Sequence, residues 1–258
     1  MASGSLFPSR EGTGARLVGL AGFVGAVVLI ELLIRIGIIN GYVVPLPSSV
    51  IVALGRVVTE EGIVPRFFLT AGESLMAGLL VAAIGIPIGI LLFRLDLLRQ
   101  ATETWVAAFA AAPVVLVYPL FLVIFGRSSW TIIAIGTLAG LPPVILKTLE
   151  GLAAVRPVLL RVGYSFNLTP RQQFGKILFP AAVPSIFAGL RLGMIFAMIN
   201  VVGIEFLINF GGLGPLINEL SERYDMPGTY AAICFVVLVS ICFFLLVERI
   251  EKWLRPTS

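Results

Sequence analysis

The sequence contains no histidine among its 258 residues. Catalysis by imidazole and metal sites ligated by histidine are therefore excluded. The chain also lacks the G-x-x-x-x-G-K-[ST] loop that binds nucleotide phosphates and the Gly-x-Ser-x-Gly turn that presents a nucleophilic serine. We expect no catalytic residue, metal ligand or cofactor in this chain, and any ATP that powers it must be bound by another protein. A membrane enzyme would have to work with carboxylates alone.

Charged residues are also scarce, at 12% of the chain, whereas 59% of the residues are hydrophobic and the mean hydropathy is +1.06. A chain of this composition cannot hide its apolar residues in a soluble core, and each bilayer crossing needs about 20 of them. Six runs of suitable length occur, at about Leu17–Ile38, Phe67–Phe93, Thr104–Phe125, Trp130–Leu149, Ala181–Ile204 and Thr229–Val247. The sequence therefore predicts an all-α membrane protein with six transmembrane helices.

The distribution of Lys and Arg predicts the orientation, because cytoplasmic loops hold an excess of them. With both termini cytoplasmic, twelve of the 18 basic residues lie inside and five outside. The net charge of +4 is then a topology signal, and no basic face remains for nucleic acid. We expect a multi-pass protein of the bacterial cytoplasmic (inner) membrane. Residues 1–16 form a cytoplasmic tail and residues 17–258 one transmembrane domain, with a cytoplasmic loop at about 150–180 and an outer loop at about 205–228.

Two of the predicted spans carry acidic residues near an end. Glu31 and Arg35 lie four residues apart in the first span, so they can pair on one helical face and neutralise each other. Glu73 lies near the outer end of the second span, where its carboxylate could reach water. Neither position therefore requires a functional role.

The last two predicted spans also contain few polar residues. Glu205 ends the fifth span five residues after Asn200, and the two could line a translocation pathway. A solvated helix end explains Glu205 equally well. Cys234 and Cys242 lie eight residues apart in the last apolar run, where we interpret them as small packing residues.

The apolar sequence is interrupted once, between the fourth and fifth spans. From Pro157 to Phe166 the apolar residues recur at helical spacing, which predicts a short amphipathic helix. Asn167 follows, and asparagine tolerates the left-handed conformation that ends many helices. Thr169 then provides an N-cap, with Pro170 at the first helical position and Gln172 completing a capping box. The sequence thus predicts a helix, a sharp turn and a second helix.

A folded loop of this kind favours a docking element that receives force from a soluble protein. The alternative is an amphipathic helix that only lies on anionic lipid headgroups. An ordinary short loop between two spans needs no folded structure of either kind.

The same segment resembles the cytoplasmic motif of the permease subunits of bacterial ABC importers, in the nitrate/sulfonate/taurine-type group. That motif runs Glu-Ala-Ala, three residues, Gly, nine residues, Ile-x-Leu-Pro. When it is anchored on Ile177, Phe179 and Pro180, Asn167 takes the position of the Gly and 161–163 take those of Glu-Ala-Ala. Arg161 thus reverses a charge, whereas Asn167 can still make the turn.

Further phrases extend the resemblance over roughly residues 43 to 247. They are "VVPLPSSVIVAL", "AAPVVLVYPLFLVIFG", "LFPAAVPSIFAGLRLGM" and "GIEFLINFGGLGPLI". The resemblance implies the type I importer permease fold, two copies of which form a central pathway. It also implies two cytoplasmic ABC ATPase subunits, an extracytoplasmic substrate-binding protein and a small anionic or organic nutrient.

The resemblance assigns the contact with the ATPase to the helix of the interrupted segment. The residues of this contact are Val158, Leu159, Arg161, Val162, Gly163, Tyr164, Phe166 and Asn167. ATP-driven closure of the ATPase pair would move this helix and switch the spans between inward-open and outward-open states. An ion- or proton-coupled transporter or channel is the alternative, with Glu73 and Glu205 as relays.

The outer loop from Gly203 to Tyr230 is expected to be folded. Its glycines suit a tight turn, and Pro215 suits the start of a short helix that runs to about Arg223. Charged side chains of this helix are expected to face the binding protein. They are Glu219, Glu222 and Arg223.

Overall fold

A computed structural model describes residues 13–254, which are mostly helical and contain no β-strand. The first six helices are α1 (Thr13–Arg35), α2 (Pro47–Glu60), α3 (Ile63–Arg94), α4 (Asp96–Ala110), α5 (Tyr118–Phe125) and α6 (Ser129–Ala153). The others are α7 (Pro157–Ser165), α8 (Pro170–Gln173), α9 (Phe179–Ile208), α10 (Leu213–Glu222) and α11 (Met226–Leu254). Most of the expected N-terminal tail lies outside the described residues.

Five helical segments are long and apolar enough to cross a membrane, which confirms a multi-pass membrane protein. They are Leu17–Arg35, Ile63–Arg94, Ser129–Ala153, Pro170–Ile208 and Met226–Arg249. The fourth segment is 39 residues long because α8 continues through a π-helical turn at Phe174–Leu178 into α9. Its length exceeds the predicted fifth span at both ends.

The third predicted span, Thr104–Phe125, is not one straight helix. It lies in α4, a 3₁₀ turn at Val114–Val117 and α5, and the two halves are bent by 94°. The break lies at Ala111–Pro113, since proline has no N–H to donate and its ring disfavours a helical conformation at the preceding residue. The pair is therefore a sixth, broken span or a re-entrant segment.

Helices α3, α6 and α9 form the centre of the fold, and their backbones approach closely at glycines. A Cβ atom on Gly140 would lie 2.6 Å from the carbonyl oxygen of Gly193, and one on Gly193 would lie 2.7 Å from that of Gly140. Gly89 of α3 packs as tightly against Thr148 of α6. Small residues at such crossings are the common means of packing helices in a membrane, where lipid removes the hydrophobic drive to associate.

The remaining long helices lie at the periphery. Helix α1 touches mainly α2, where the Glu31 carboxylate accepts hydrogen bonds from the Ser48 N–H (3.1 Å) and hydroxyl (2.9 Å). Arg35 also pairs with Glu31 at 2.7 Å, which confirms the predicted ion pair. On α11, Cys234 and Cys242 are free and exposed, so no disulfide joins them.

The packing predicts that Gly193→Ala destabilises the protein. The new methyl group has no room against the Gly140 carbonyl, so we expect a loss of about 1–3 kcal/mol in the free energy of unfolding. Gly203→Ala in the same helix is the matched control, because nothing lies within 4 Å of its Cβ position. Unfolding of both variants in detergent by increasing sodium dodecyl sulfate measures the difference. Equal stability of the two would contradict this packing.

Candidate functional site

Helix α7 ends in the turn that the sequence predicts. Asn167 has φ = 53°, in the left-handed region, and its N–H donates to the Tyr164 carbonyl at 2.9 Å. The Leu168 N–H donates to the Gly163 carbonyl at 3.1 Å. These two bonds make a Schellman motif, which satisfies carbonyls at the end of the helix. The turn at Asn167 is therefore confirmed, and α7 itself ends one residue before the predicted Phe166.

The second helix begins with the predicted capping box. The Thr169 hydroxyl accepts a hydrogen bond from the Gln172 N–H at 3.3 Å, and the Gln172 side chain accepts one from the Thr169 N–H at 2.9 Å. Pro170 takes the first helical position. Local hydrogen bonds thus cap the start of the 39-residue helical segment.

One side of α7 packs against the start of this segment. Gly163 is the only residue of α7 that is buried, and a Cβ there would lie 2.7 Å from Ile177. The Gln173 side chain donates to the Leu160 carbonyl at 2.9 Å. Helix α7 is therefore in direct contact with the segment that continues into α9.

The other sides of α7 carry an apolar surface with no cover. The exposed fractions of its apolar residues are 60% for Val158, 42% for Leu159, 47% for Val162 and 76% for Phe166. Tyr164, Arg161 and Asn167 are exposed as well, and Arg161 forms no ion pair within the described part of the chain. Of the eight expected contact residues, only Gly163 turns inward. We call the other seven the α7 surface.

At the opposite end of α9, Glu205 is fully buried. The Thr70 hydroxyl of α3 donates to its carboxylate at 2.7 Å, and the Gly214 N–H at the start of α10 donates to it at 3.0 Å. Thr70 also accepts from the Leu213 N–H at 2.9 Å. The carboxylate therefore stabilises the start of α10, as negative charge at a helix N-terminus does. A solvated helix end is excluded for Glu205.

Asn200 and Glu205 are not brought together. Five residues of an α-helix correspond to a rotation of about 140° beyond one full turn, so the two side chains lie on different faces. Asn200 is partly exposed and its amide donates to the Phe196 carbonyl at 2.9 Å. The structure thus gives no shared site for this pair.

Glu73 does not reach water either, because only 3% of it is exposed. Neither carboxylate oxygen has a hydrogen-bond partner among the described residues, although Ser129 and Glu205 lie beside it. A buried polar group without a partner is costly, so Glu73 lowers the stability of this arrangement.

The outer loop folds as predicted, with α10 as its helix. Two of its charges, which were expected to face a binding protein, also form ion pairs within the chain, and their contact with that protein stays a prediction. Glu219 forms a bidentate ion pair with Arg66 of α3, with N–O distances of 2.8 and 3.0 Å. Arg223 forms an ion pair with Glu61 at 3.1 Å. Arg223 is nevertheless exposed, and Glu222 is exposed and forms no ion pair in the described part of the chain.

Sequence reasoning missed Thr70 and Arg127. Thr70 lies three residues before Glu73, so the two share a face of α3, and this spacing was a signal for a polar site. Arg127 donates to the Asn209 carbonyl from the connection between α5 and α6. Nothing in the local sequence indicates that contact, which joins residues 82 positions apart. No cluster of three or more potential metal ligands occurs among the residues described.

Comparisons with known proteins agree with the predicted resemblance. The sequence model of a family described as "Binding-protein-dependent transport system inner membrane component" matches residues 82–256. The formylaminopyrimidine transport permease protein ThiX of Halalkalibacterium halodurans is 26% identical over 212 residues, which cover 82% of this chain and 85% of that protein. SsuC of Bacillus subtilis, named for aliphatic sulfonate transport, is 24% identical over 222 residues, or 84% of this chain and 80% of that one.

The fold is also that of a solved transporter. A chain of the MetNI methionine ABC transporter, in an inward-facing conformation, superposes with a TM-score of 0.64 and 19% identity. The match covers 74% of this chain and 94% of the other. The predicted type I importer permease fold is therefore confirmed.

The buried hydrogen bonds at Glu205 predict that Thr70→Val loosens the outer end. The change leaves the Leu213 N–H without a partner and the Glu205 carboxylate with only the Gly214 N–H, so we expect a loss of about 2 kcal/mol in unfolding free energy. Protease cleavage within residues 209–214 should also increase. Thr70→Ser keeps the hydroxyl and should behave as wild type. Thr59→Val, at an exposed hydroxyl bonded within its own helix, controls for the loss of a threonine. A stable, protected Thr70→Val variant would contradict the assignment.

Proposed function

Because the chain belongs to the family of binding-protein-dependent transport system inner membrane components, we propose that it is the pore subunit of an ABC importer that works by alternating access. The importer moves a small anionic or organic nutrient into the cytoplasm. A separate ATPase drives the cycle. Two copies of the ATPase bind a permease dimer, which is formed by two copies of this chain. An extracytoplasmic binding protein delivers the substrate. Formylaminopyrimidine and aliphatic sulfonates, for which two relatives are named, are small organic molecules, and sulfonates are anions.

The α7 surface is the observation that carries this proposal. An apolar surface without a cover on a folded loop is typical of a site that binds a protein. The inner side of α7 is already occupied by Gln173 and Ile177, so the α7 surface is the part left for a partner.

The 39-residue helical segment supports coupling between the two ends of the molecule. An α-helix of this length spans roughly 58 Å, which is more than a bilayer. α7 packs at the segment's first turns, and Glu205 holds the outer loop at its last turn. A force applied to α7 would therefore tilt or shift one continuous element that ends at the outer loop.

The docking role predicts the effect of Val162→Asp. The substitution would place an unpaired charge in the contact with the ATPase, so we expect the permease to fold and insert but to lose co-purification of its ATPase. Ser165→Asp is the matched control, because Ser165 is exposed on the same helix and already polar. It should retain the ATPase. Retention by Val162→Asp would contradict the docking assignment.

Arg161→Glu distinguishes docking on protein from binding to headgroups. A helix bound to headgroups responds to the content of anionic lipid. We expect the variant to reduce ATPase stimulation equally in neutral and anionic liposomes. A reduction seen only with anionic lipid would assign the α7 surface to the membrane.

A further inference from the structure

A polar pocket of about 550 Å³ opens at the end of the molecule that carries α10. It lies between the first turns of α3, the connection between α5 and α6, and the turn that leads into α10. Its lining residues are Pro65, Arg66, Leu69, Arg127, Asn209, Gly211, Gly212, Pro215 and Glu219. We call it the outer pocket. It lies apart from the α7 surface, which is at the other end of the 39-residue helical segment.

The side chains that line the outer pocket sum to one positive charge, from Arg66, Arg127 and Glu219, and the buried Glu205 carboxylate lies behind Gly212, outside the lining. Both terminal nitrogens of the Arg66 guanidinium bond to the two carboxylate oxygens of Glu219, so these charges neutralise each other. The Arg127 guanidinium donates to the carbonyl of Asn209, which is uncharged, and it has no carboxylate partner in the described chain. Its charge therefore remains available to a ligand that enters the pocket.

Two backbone N–H groups beside Arg127 also lack acceptors. Gly211 and Gly212 both have positive φ, at 66° and 23°, and Gly212 is buried. Their N–H groups form no hydrogen bond with any residue that the structure describes, whereas the next two, of Leu213 and Gly214, bind Thr70 and Glu205. Gly211 is only partly buried, but the N–H of the buried Gly212 needs an acceptor, which solvent or a ligand in the pocket must supply.

The chemistry of these groups selects an oxyanion. A guanidinium with free N–H bonds and successive backbone N–H groups in a turn with left-handed residues are two arrangements that bind carboxylate, sulfonate and phosphate oxygens. Glycine is required at Gly212 for a steric reason as well, because a Cβ there would lie 2.0 Å from the Glu205 carboxylate. The turn thus packs directly against the same buried carboxylate that binds the start of α10.

We propose that the outer pocket binds the oxyanion group of the transported nutrient, a carboxylate or a sulfonate, when the binding protein releases it. This proposal rests on the importer function proposed above and narrows its substrate to an anion. Arg127 supplies the charge, and Gly211 and Gly212 supply N–H donors. Glu219 holds Arg66 in place and excludes a second anion.

The test uses the purified permease in neutral detergent without phospholipid, with ethanesulfonate as the probe. Hydrogen exchange of backbone amides, read by mass spectrometry, follows the peptide that contains Gly211 and Gly212. We expect ethanesulfonate to slow exchange in this peptide, relative to sodium chloride at the same ionic strength. Arg127→Gln should weaken the apparent affinity about tenfold, the effect of losing one charged hydrogen bond. Arg127→Lys, which keeps the charge, should retain part of the affinity for ethanesulfonate.

Arg99→Gln is the control, because Arg99 lies in α4 and is already paired with Glu103 at 2.9 Å. It should leave the response to ethanesulfonate unchanged. The thermal unfolding of Arg127→Gln without ligand, together with its basal exchange, separates lost binding from a loosened Asn209 turn. An equal response to chloride, or an unchanged response in Arg127→Gln, would overturn the proposal.

A second arm distinguishes a soluble anion from a lipid headgroup. The same exchange measurement is made in nanodiscs of phosphatidylcholine and of phosphatidylglycerol, without ethanesulfonate. We expect neither lipid to protect the peptide. If phosphatidylglycerol protects the peptide and ethanesulfonate does not, the pocket binds a lipid headgroup and the proposal is overturned. Because this readout needs no ATPase, its failure would leave the result for Val162→Asp, and with it the proposed function, untouched.

Discussion

The contact between the backbones of α6 and α9 at Gly140 and Gly193 is the constraint on which the rest of the fold depends. Apolar side chains gain nothing from leaving lipid for one another, so these helices associate through close packing of backbone and small side chains. α9 is held there at its middle, with α3 packed on the same pair. The 39-residue segment is thus packed against α6 and α3 at the middle of α9, with α7 at one end and Glu205 at the other.

The two ends of that segment are built differently. At the α7 end, a Schellman turn and a capping box shape the chain, and the apolar surface is left open. At the other end, the buried Glu205 carboxylate joins α3, α9 and α10 through Thr70 and Gly214. The first end is suited to binding a partner and the second to holding a loop rigidly. Glu73, buried beside Glu205, has no hydrogen bond in the described structure.

Local features of the sequence predicted local structure well. The helix at Pro157, the turn at Asn167 and the cap at Thr169 depend on residues at most a few positions apart, and all three were found. The apolar runs predicted the spans, but the bend at Ala111–Pro113 was missed. The length of an apolar run indicates that a segment can cross the membrane, and it does not indicate where the chain changes direction.

Long-range contacts account for the sequence predictions that were wrong. Glu219 and Arg66 lie 153 positions apart, and Glu205 and Thr70 lie 135 apart. Whether an acidic residue near a helix end meets water, a guanidinium or a hydroxyl depends on which helices pack together. Periodicity and composition do not carry that information, so both Glu205 and Glu219 were expected to be more accessible than they are.

The central claim is that a partner acting on α7 moves the outer loop through the α9 segment. The most direct measurement is the distance between spin labels at position 221 of the two copies in a reconstituted complex with the ATPase, after replacement of Cys234 and Cys242. Ser221 is exposed near the end of α10, so a label is tolerated there. Addition of ATP should change this distance in the wild type. An unchanged distance while ATP is hydrolysed would contradict the claim.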